Sequence, residues 1–90
     1  MRQVEFHTLL HGGQTQGHRV FIATMPGQSQ LLGDATTRLL VRVNLNGVVF
    51  DAEGWPSDGH HVIEVPQEIV ASARLKGGDP ARVALHIMGP

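Results

Sequence analysis

The feature that most limits what this chain can become is the run from Gly59 to Ile87. It reads as a strand, a proline, a short helix, a glycine-rich turn and a second strand. His61, Ile63 and Val65 share one strand face and His60, Val62 and Glu64 the other, because side chains alternate with period two. Pro66 ends the strand, having no N–H for a ladder, and its fixed φ suits a helix start. Gln67 and Glu68 put polar groups in the first turn, where the helix dipole favours an acid. Ile69, Val70 and Ala73 form a brief apolar stripe at helical spacing, and Gly77-Gly78 is expected to stop the helix in a left-handed conformation. After Asp79-Pro80, the residues Ala81, Val83, Leu85 and Ile87 alternate with Arg82, Ala84 and His86. A unit this small leaves apolar faces that other strands must cover. Val62, Ile63, Val65, Ile69, Val83, Leu85 and Ile87 are therefore expected to supply much of the core.

The rest of the chain supplies strands. Val4–Leu10 alternates Val4, Phe6 and Thr8 against Glu5, His7 and Leu9. His18–Met25 is apolar on both faces near Val20-Phe21-Ile22, the pattern of a strand buried on both sides or touching another subunit. Residues 28–37 read as a loop or a single helical turn. The clearest hairpin surrounds Asn46-Gly47, since both central residues of a type I′ turn need positive φ. A two-residue loop there pairs Leu45 with Val48, Val43 with Phe50 and Val41 with Ala52, and sets Arg42 opposite Asp51. Residues 53–59 read as a loop leading into the central unit. Many short apolar runs between eleven glycines and five prolines favour a β-rich barrel. Without a dividing linker, residues 1–90 form one domain.

Composition narrows function mostly by exclusion. Seven basic and eight acidic residues give a net charge of −1, a poor footprint for a phosphate backbone. No cysteine is present, which removes disulfides and thiolate chemistry. No run has the length of a signal-peptide core or a membrane span, so a soluble, cytoplasmic protein without a membrane partner is expected.

Several positions together carry a resemblance. They are the Phe6 strand, Val20-Phe21 ending in Met25-Pro26, Val41-Arg42-Val43-Asn44-Leu45-Asn46-Gly47, Trp55-Pro56 before Gly59, Val65-Pro66, and Gly78-Asp79 before the last strand. Over roughly residues 6–87 the chain resembles the domain-of-unknown-function 1905 family of small bacterial domains. The resemblance implies a mostly β fold, a small closed double-split β-barrel with one short helix between its last two strands. It also implies fold kinship with transition-state regulators and antitoxin DNA-binding domains. Here a short Gln-rich stretch follows Met25-Pro26 where the family has a longer helix, and Gly54-Trp55-Pro56 stands where a Leu-Phe-Pro-like motif is common. The family brings no catalytic residues to carry over.

Six histidines raise a metal reading. His7 and His11 lie about 13 Å apart on a strand, too far for one ion. His60 and His61 point to opposite faces. Convergence across strands, such as His7 with His18 or His86, is what a metal site requires, and no metal or other cofactor is expected. Ser29, Ser57 and Ser72 lack a nucleophile-elbow context for a Ser-His-Asp triad. Gly77-Gly78-Asp79 follows a helix instead of opening one, so it is a turn and not a phosphate loop. Arg19, Arg38, Arg42, Arg74, Lys76 and Arg82 make a basic patch only if the fold gathers them. Trp55 is read first as a lid over one end of the barrel and second as an anchor for a partner.

The expectation is a non-enzymatic binding module for a protein or small ligand, monomeric or homodimeric, with Trp55, His60, His61 and Arg42 as candidate ligand- or partner-binding residues. One alternative is a DNA-binding or antitoxin-like regulator. The other is a metal-dependent or hydrolase-like enzyme using histidines.

Overall fold

The computed structural model describes residues 3–12, 19–24 and 38–89. Its strands are β1 (Gln3–Leu9), β2 (His11–Gly12), β3 (Val20–Ala23), β4 (Leu39–Leu45), β5 (Val48–Ser57), β6 (His60–Glu64) and β7 (Pro80–Gly89). One short helix, α1 (Gln67–Ala73), lies between β6 and β7. The fold is mostly β. All strands belong to one antiparallel sheet, ordered β1-β7-β4-β5-β6-β3-β2, curled into a half-barrel. The N-terminal stretch holds both edges. β1 pairs with β7 on one edge, β2 pairs with β3 on the other, and the buried Leu10 alone separates them.

The Asn46-Gly47 hairpin has the register that its apolar alternation requires. Leu45 faces Val48, Val43 faces Phe50, Val41 faces Ala52 and Arg42 faces Asp51. Asn46 and Gly47 both have positive φ, 52° and 94°. The Asn46 side-chain oxygen accepts from Arg82 N–H at 2.8 Å, and Asn46 N–H donates to the Arg82 carbonyl at 2.9 Å. The turn is thereby fastened to β7.

Residues 53–57 are strand and not the expected loop. β5 runs on past Gly54, which pairs with Leu39 on one side and Ile63 on the other. Asp58-Gly59 then turns the chain, with φ of 48° and 83°. Proline is usually kept out of strands because it cannot donate to a ladder. Pro56 pairs with His61 of β6, and the described pairing of β5 with β4 reaches as far as Leu39 opposite Gly54.

Helix α1 also ends earlier than expected. Arg74, and not Gly77 or Gly78, takes the left-handed conformation (φ 53°, ψ 46°) that stops it. Leu75 N–H then donates to the Val70 carbonyl at 3.0 Å, and Leu75 packs against the core. Turning Leu75 inward fixes the stop three residues before the glycines. Gly78 still adopts positive φ, 91°, in the turn that follows.

The concave face is filled. Val41, Val43, Leu45, Ile63, Val65, Val83 and Leu85 are all at most 1% exposed. Ile69 and Ile87 pack against this core only half-buried. Val62 lies on the opposite, outer face beside Trp55. β3 buries Val20 and Ile22 and leaves Phe21 and Ala23 half-exposed. Residues 28–37, with Ser29, His18, Met25 and Pro26, lie outside the described residues. Among the described residues no helix is long and apolar enough to cross a membrane.

Candidate functional site

With the inner face occupied by core side chains, chemistry falls to the outer face. On β7 the outward residue Ala84 stands opposite Glu5 of β1 on one side and Asn44 of β4 on the other. A methyl group between longer neighbours leaves a depression. The larger part, about 510 Å³, is bounded by Glu5, Asn44, Asn46 and Arg82. A smaller part, about 230 Å³, continues to Gln3, Arg42, Val49 and His86.

The polar groups of this groove divide into committed and uncommitted ones. Asn44 Oδ1 accepts from Gly47 N–H at 2.8 Å, and Asn46 Oδ1 from Arg82 N–H. The amide NH2 groups of both asparagines make no other bond among the described residues. Glu5 accepts one bond, from Gln3 Nε2 at 3.3 Å. Glu5 and Arg82 are diagonal neighbours across β1 and β7, a Cα separation of roughly 7–8 Å. Among the described residues neither forms an ion pair. Elsewhere on this face, Arg19 meets Glu64 at 3.7 Å, Arg38 meets Glu53 at 3.6 Å and Arg42 meets Asp51 at 2.9 Å. Arg19, Arg38 and Arg42 of the basic patch are thus matched to carboxylates, whereas Arg74 and Arg82 form no ion pair among the described residues, and of these two Arg82 lines the groove.

Arg42 closes on Asp51 through two hydrogen bonds, Nε to Oδ1 at 2.9 Å and a guanidinium NH2 to Oδ2 at 3.4 Å. The Arg42 hydrogen bond holds the Asp51 carboxyl below its ordinary value of 3.8. A depressed carboxyl contributes stability that is present above its unfolded pKa and lost as pH falls through the folded one. Asp51→Asn is therefore expected to flatten the decline of stability below pH 3.8. Urea melts repeated across that range check this, and identical acid slopes in the two proteins would show that the pair contributes nothing.

The other candidate residues are scattered. His60 is half-buried on the outer face, opposite Ser57. His61 points inward and is 1% exposed. Its N–H donates to Thr24 Oγ1 at 2.9 Å, and its carbonyl accepts from Thr24 N–H at 2.9 Å. No buried side-chain nitrogen or oxygen among the described residues lacks a partner, so His61 sits as a satisfied member of the core.

Trp55 does not form the expected lid. It is 53% exposed on β5, with the Arg38 guanidinium 5.3 Å from its ring centroid. His7 lies four register positions from the Gln3–His86 pair, roughly 13 Å along the strand. Among the described residues no three His, Cys, Asp or Glu side chains converge as a metal site would need. Arg42 is the one candidate that lines the groove. Glu5, Asn44, Arg82 and Ala84 come together only through the β1–β7–β4 register, which sets Ala84 beside residues 79 and 40 positions earlier in the chain.

Comparison with protein-family profiles and with curated proteins finds no match for this chain.

Proposed function

We propose that this chain is a non-enzymatic binding module and that the groove over Ala84 takes a small polar ligand bearing both signs of charge. The observation that carries this reading is the unpaired Glu5 carboxylate beside the unpaired Arg82 guanidinium, on a face where the other cross-strand neighbours of opposite charge have closed on each other. A ligand ammonium suits Glu5. A ligand carboxylate suits Arg82, whose planar fork matches two carboxylate oxygens. The asparagine NH2 groups add donors along the same wall. Free α-amino acids and short peptides have this chemistry.

Kinship with the domain-of-unknown-function 1905 family and closure into a double-split barrel belong to the same proposal. Support for closure comes from Leu10, which joins the two edge strands and bonds to the turn before β7. Leu10 N–H donates to the Asp79 carbonyl at 2.8 Å, and Gly78 N–H donates to the Leu10 carbonyl at 2.7 Å.

The test is amide chemical-shift mapping with a panel of free L-amino acids and glycyl dipeptides, each beside its N-acetyl and amide derivatives. Shifts are expected at residues 3–5, 44–47 and 82–86, and Ala84→Phe should abolish them by filling the floor. Arg82→Gln should weaken binding roughly tenfold or more, since a charge-assisted hydrogen bond contributes ~1.5–3 kcal/mol. Shifts confined to another face, or equal binding of the blocked derivatives, would overturn the reading.

A further inference from the structure

The groove leaves a second part of the outer face unexplained. Sharing Arg42, Asn44 and Val49 with the groove's end and running on beyond it, β4 and β5 present two parallel columns of side chains. The column on β4 runs Arg38, Leu40, Arg42, Asn44, with Arg38 one residue before the strand. The column on β5 runs Trp55, Glu53, Asp51, Val49, and the register sets Leu40 beside Glu53, Arg42 beside Asp51 and Asn44 beside Val49. Leu40, Val49 and Trp55 are 38%, 56% and 53% exposed. Both charges on β4 are positive and both on β5 are negative. Tryptophan and arginine are the residues most enriched at binding hot spots, and here they stack on each other in solvent.

We infer that this stripe docks a second copy of the same chain, about a two-fold axis parallel to the strands and lying between β4 and β5. Rotation about that axis keeps each residue at its own height and exchanges the columns. The β4 column of one copy then lies over the β5 column of the other. Arg42 faces the other copy's Asp51, and Arg38 faces the other copy's Trp55 as a second cation for its ring. A two-fold axis perpendicular to the strands instead lays β4 on β4 and β5 on β5 with the heights reversed; centred on the stripe it sets Asp51 against the other copy's Glu53 and leaves Arg42 over Leu40 and Arg38 over Asn44, so like charges meet and no opposite ones do. The charge pattern therefore selects one of the two face-to-face arrangements.

Curvature limits the size of the contact. The outer face of a curled sheet is convex, and two such faces touch along a ridge about two columns wide. An interface of that width is small, so the dimer is weak and transient in character.

Trp55 is the sole tryptophan, and its emission reports the contact directly. Sedimentation velocity and tryptophan emission are followed together from about 10 μM to about 1 mM, the range where small interfaces assemble. The expected result is a rise from one chain to two, accompanied by a blue shift as Trp55 leaves water and weakened by high salt. Asp51→Arg should abolish both changes, because it sets arginine against arginine. Adding Arg42→Asp to that variant should restore them, with circular dichroism confirming that each variant is folded. A monomer throughout the range, a dimer that survives Asp51→Arg, or a dimer formed without any change in Trp55 emission would each overturn the assignment.

Discussion

Leu85→Ala is expected to cost ~2–5 kcal/mol, the range for removing a buried leucine whose site cannot collapse. Leu85 is 0% exposed at the middle of β7. Its cross-strand neighbours are Val4 on β1 and Val43 on β4, both themselves buried. Because β7 is hydrogen-bonded on both sides, neither flanking strand can move inward without breaking ladder bonds. The cavity should therefore persist, and its lining loses dispersion contacts outright. A domain of this size has a total stability of only ~5–15 kcal/mol, so the urea midpoint should fall by a molar or more at ordinary slopes of ~1–3 kcal/mol/M. Gln67→Ala, exposed in the first turn of α1, should stay within about 0.5 kcal/mol of the parent. Similar midpoints for the two variants would mean that the unit from Gly59 to Ile87 is not the core.

How much of this was legible in the sequence depends on how far apart the deciding residues lie. The Asn46-Gly47 hairpin could be read with its full register, because the turn needs positive φ at adjacent positions and the flanking apolar residues alternate in phase. Asp58-Gly59 carries the same signal, and its two φ values are equally left-handed. It was obscured by Trp55-Pro56, since a proline inside a strand is admissible only where one side of the strand has no ladder to feed. That condition depends on where β4 ends, which residues 53–59 do not contain. The reading of Trp55 as a lid failed for a related reason. A lone large aromatic is usually covered, but its position on β5 alternates with Gly54 on the buried face, so parity sends it outward.

Core and groove differ in the same way. Val83 and Leu85 could be assigned to the interior by alternation alone, whereas Val62 was misplaced by counting it with its inward neighbours. Ala84 means nothing locally. It becomes a groove floor only when β1 and β4 set Glu5 and Asn44 beside it. Local pattern fixes which way a side chain points, and the pairing of distant strands fixes what it meets.

Gly77→Ala is the other large effect expected, and it tests the close approach of the Gly12 and Gly77 backbones. A side chain at Gly77 requires the backbone to shift, and one at Gly12 requires its neighbours to give by a few tenths of an ångström. A Cβ on Gly77 lies 2.9 Å from the Cα, N and O atoms of Gly12. A Cβ on Gly12 lies 3.0 Å from Gly77 Cα and from the Arg19 carbonyl oxygen. The obstacles are backbone atoms on both sides, so no rotamer change relieves the clash. Gly12 ends β2, an edge strand, and Gly77 precedes β7, the strand next to the other edge strand β1. The bonds from Leu10 N–H to the Asp79 carbonyl and from Gly78 N–H to the Leu10 carbonyl lie beside this contact. A methyl group at Gly77 must therefore push the strands apart or stretch those bonds, an overpacking cost of ~1–3 kcal/mol or more. Gly54→Ala is the matched control. Gly54 lies within β5 and is buried, yet the nearest atoms to its Cβ are side-chain carbons of His61 and Ile63 at 3.7 Å, ordinary contact. That substitution should be neutral or stabilise by up to ~0.5–1 kcal/mol, because alanine loses less conformational freedom than glycine on folding. Urea melts should thus move Gly77→Ala downward while Gly54→Ala holds or rises. Faster hydrogen exchange at the Leu10 and Gly78 amides of Gly77→Ala should accompany the loss. If Gly77→Ala melts with the parent protein and leaves those two amides protected, then the backbone contact between Gly12 and Gly77 is not tight enough to exclude a methyl group.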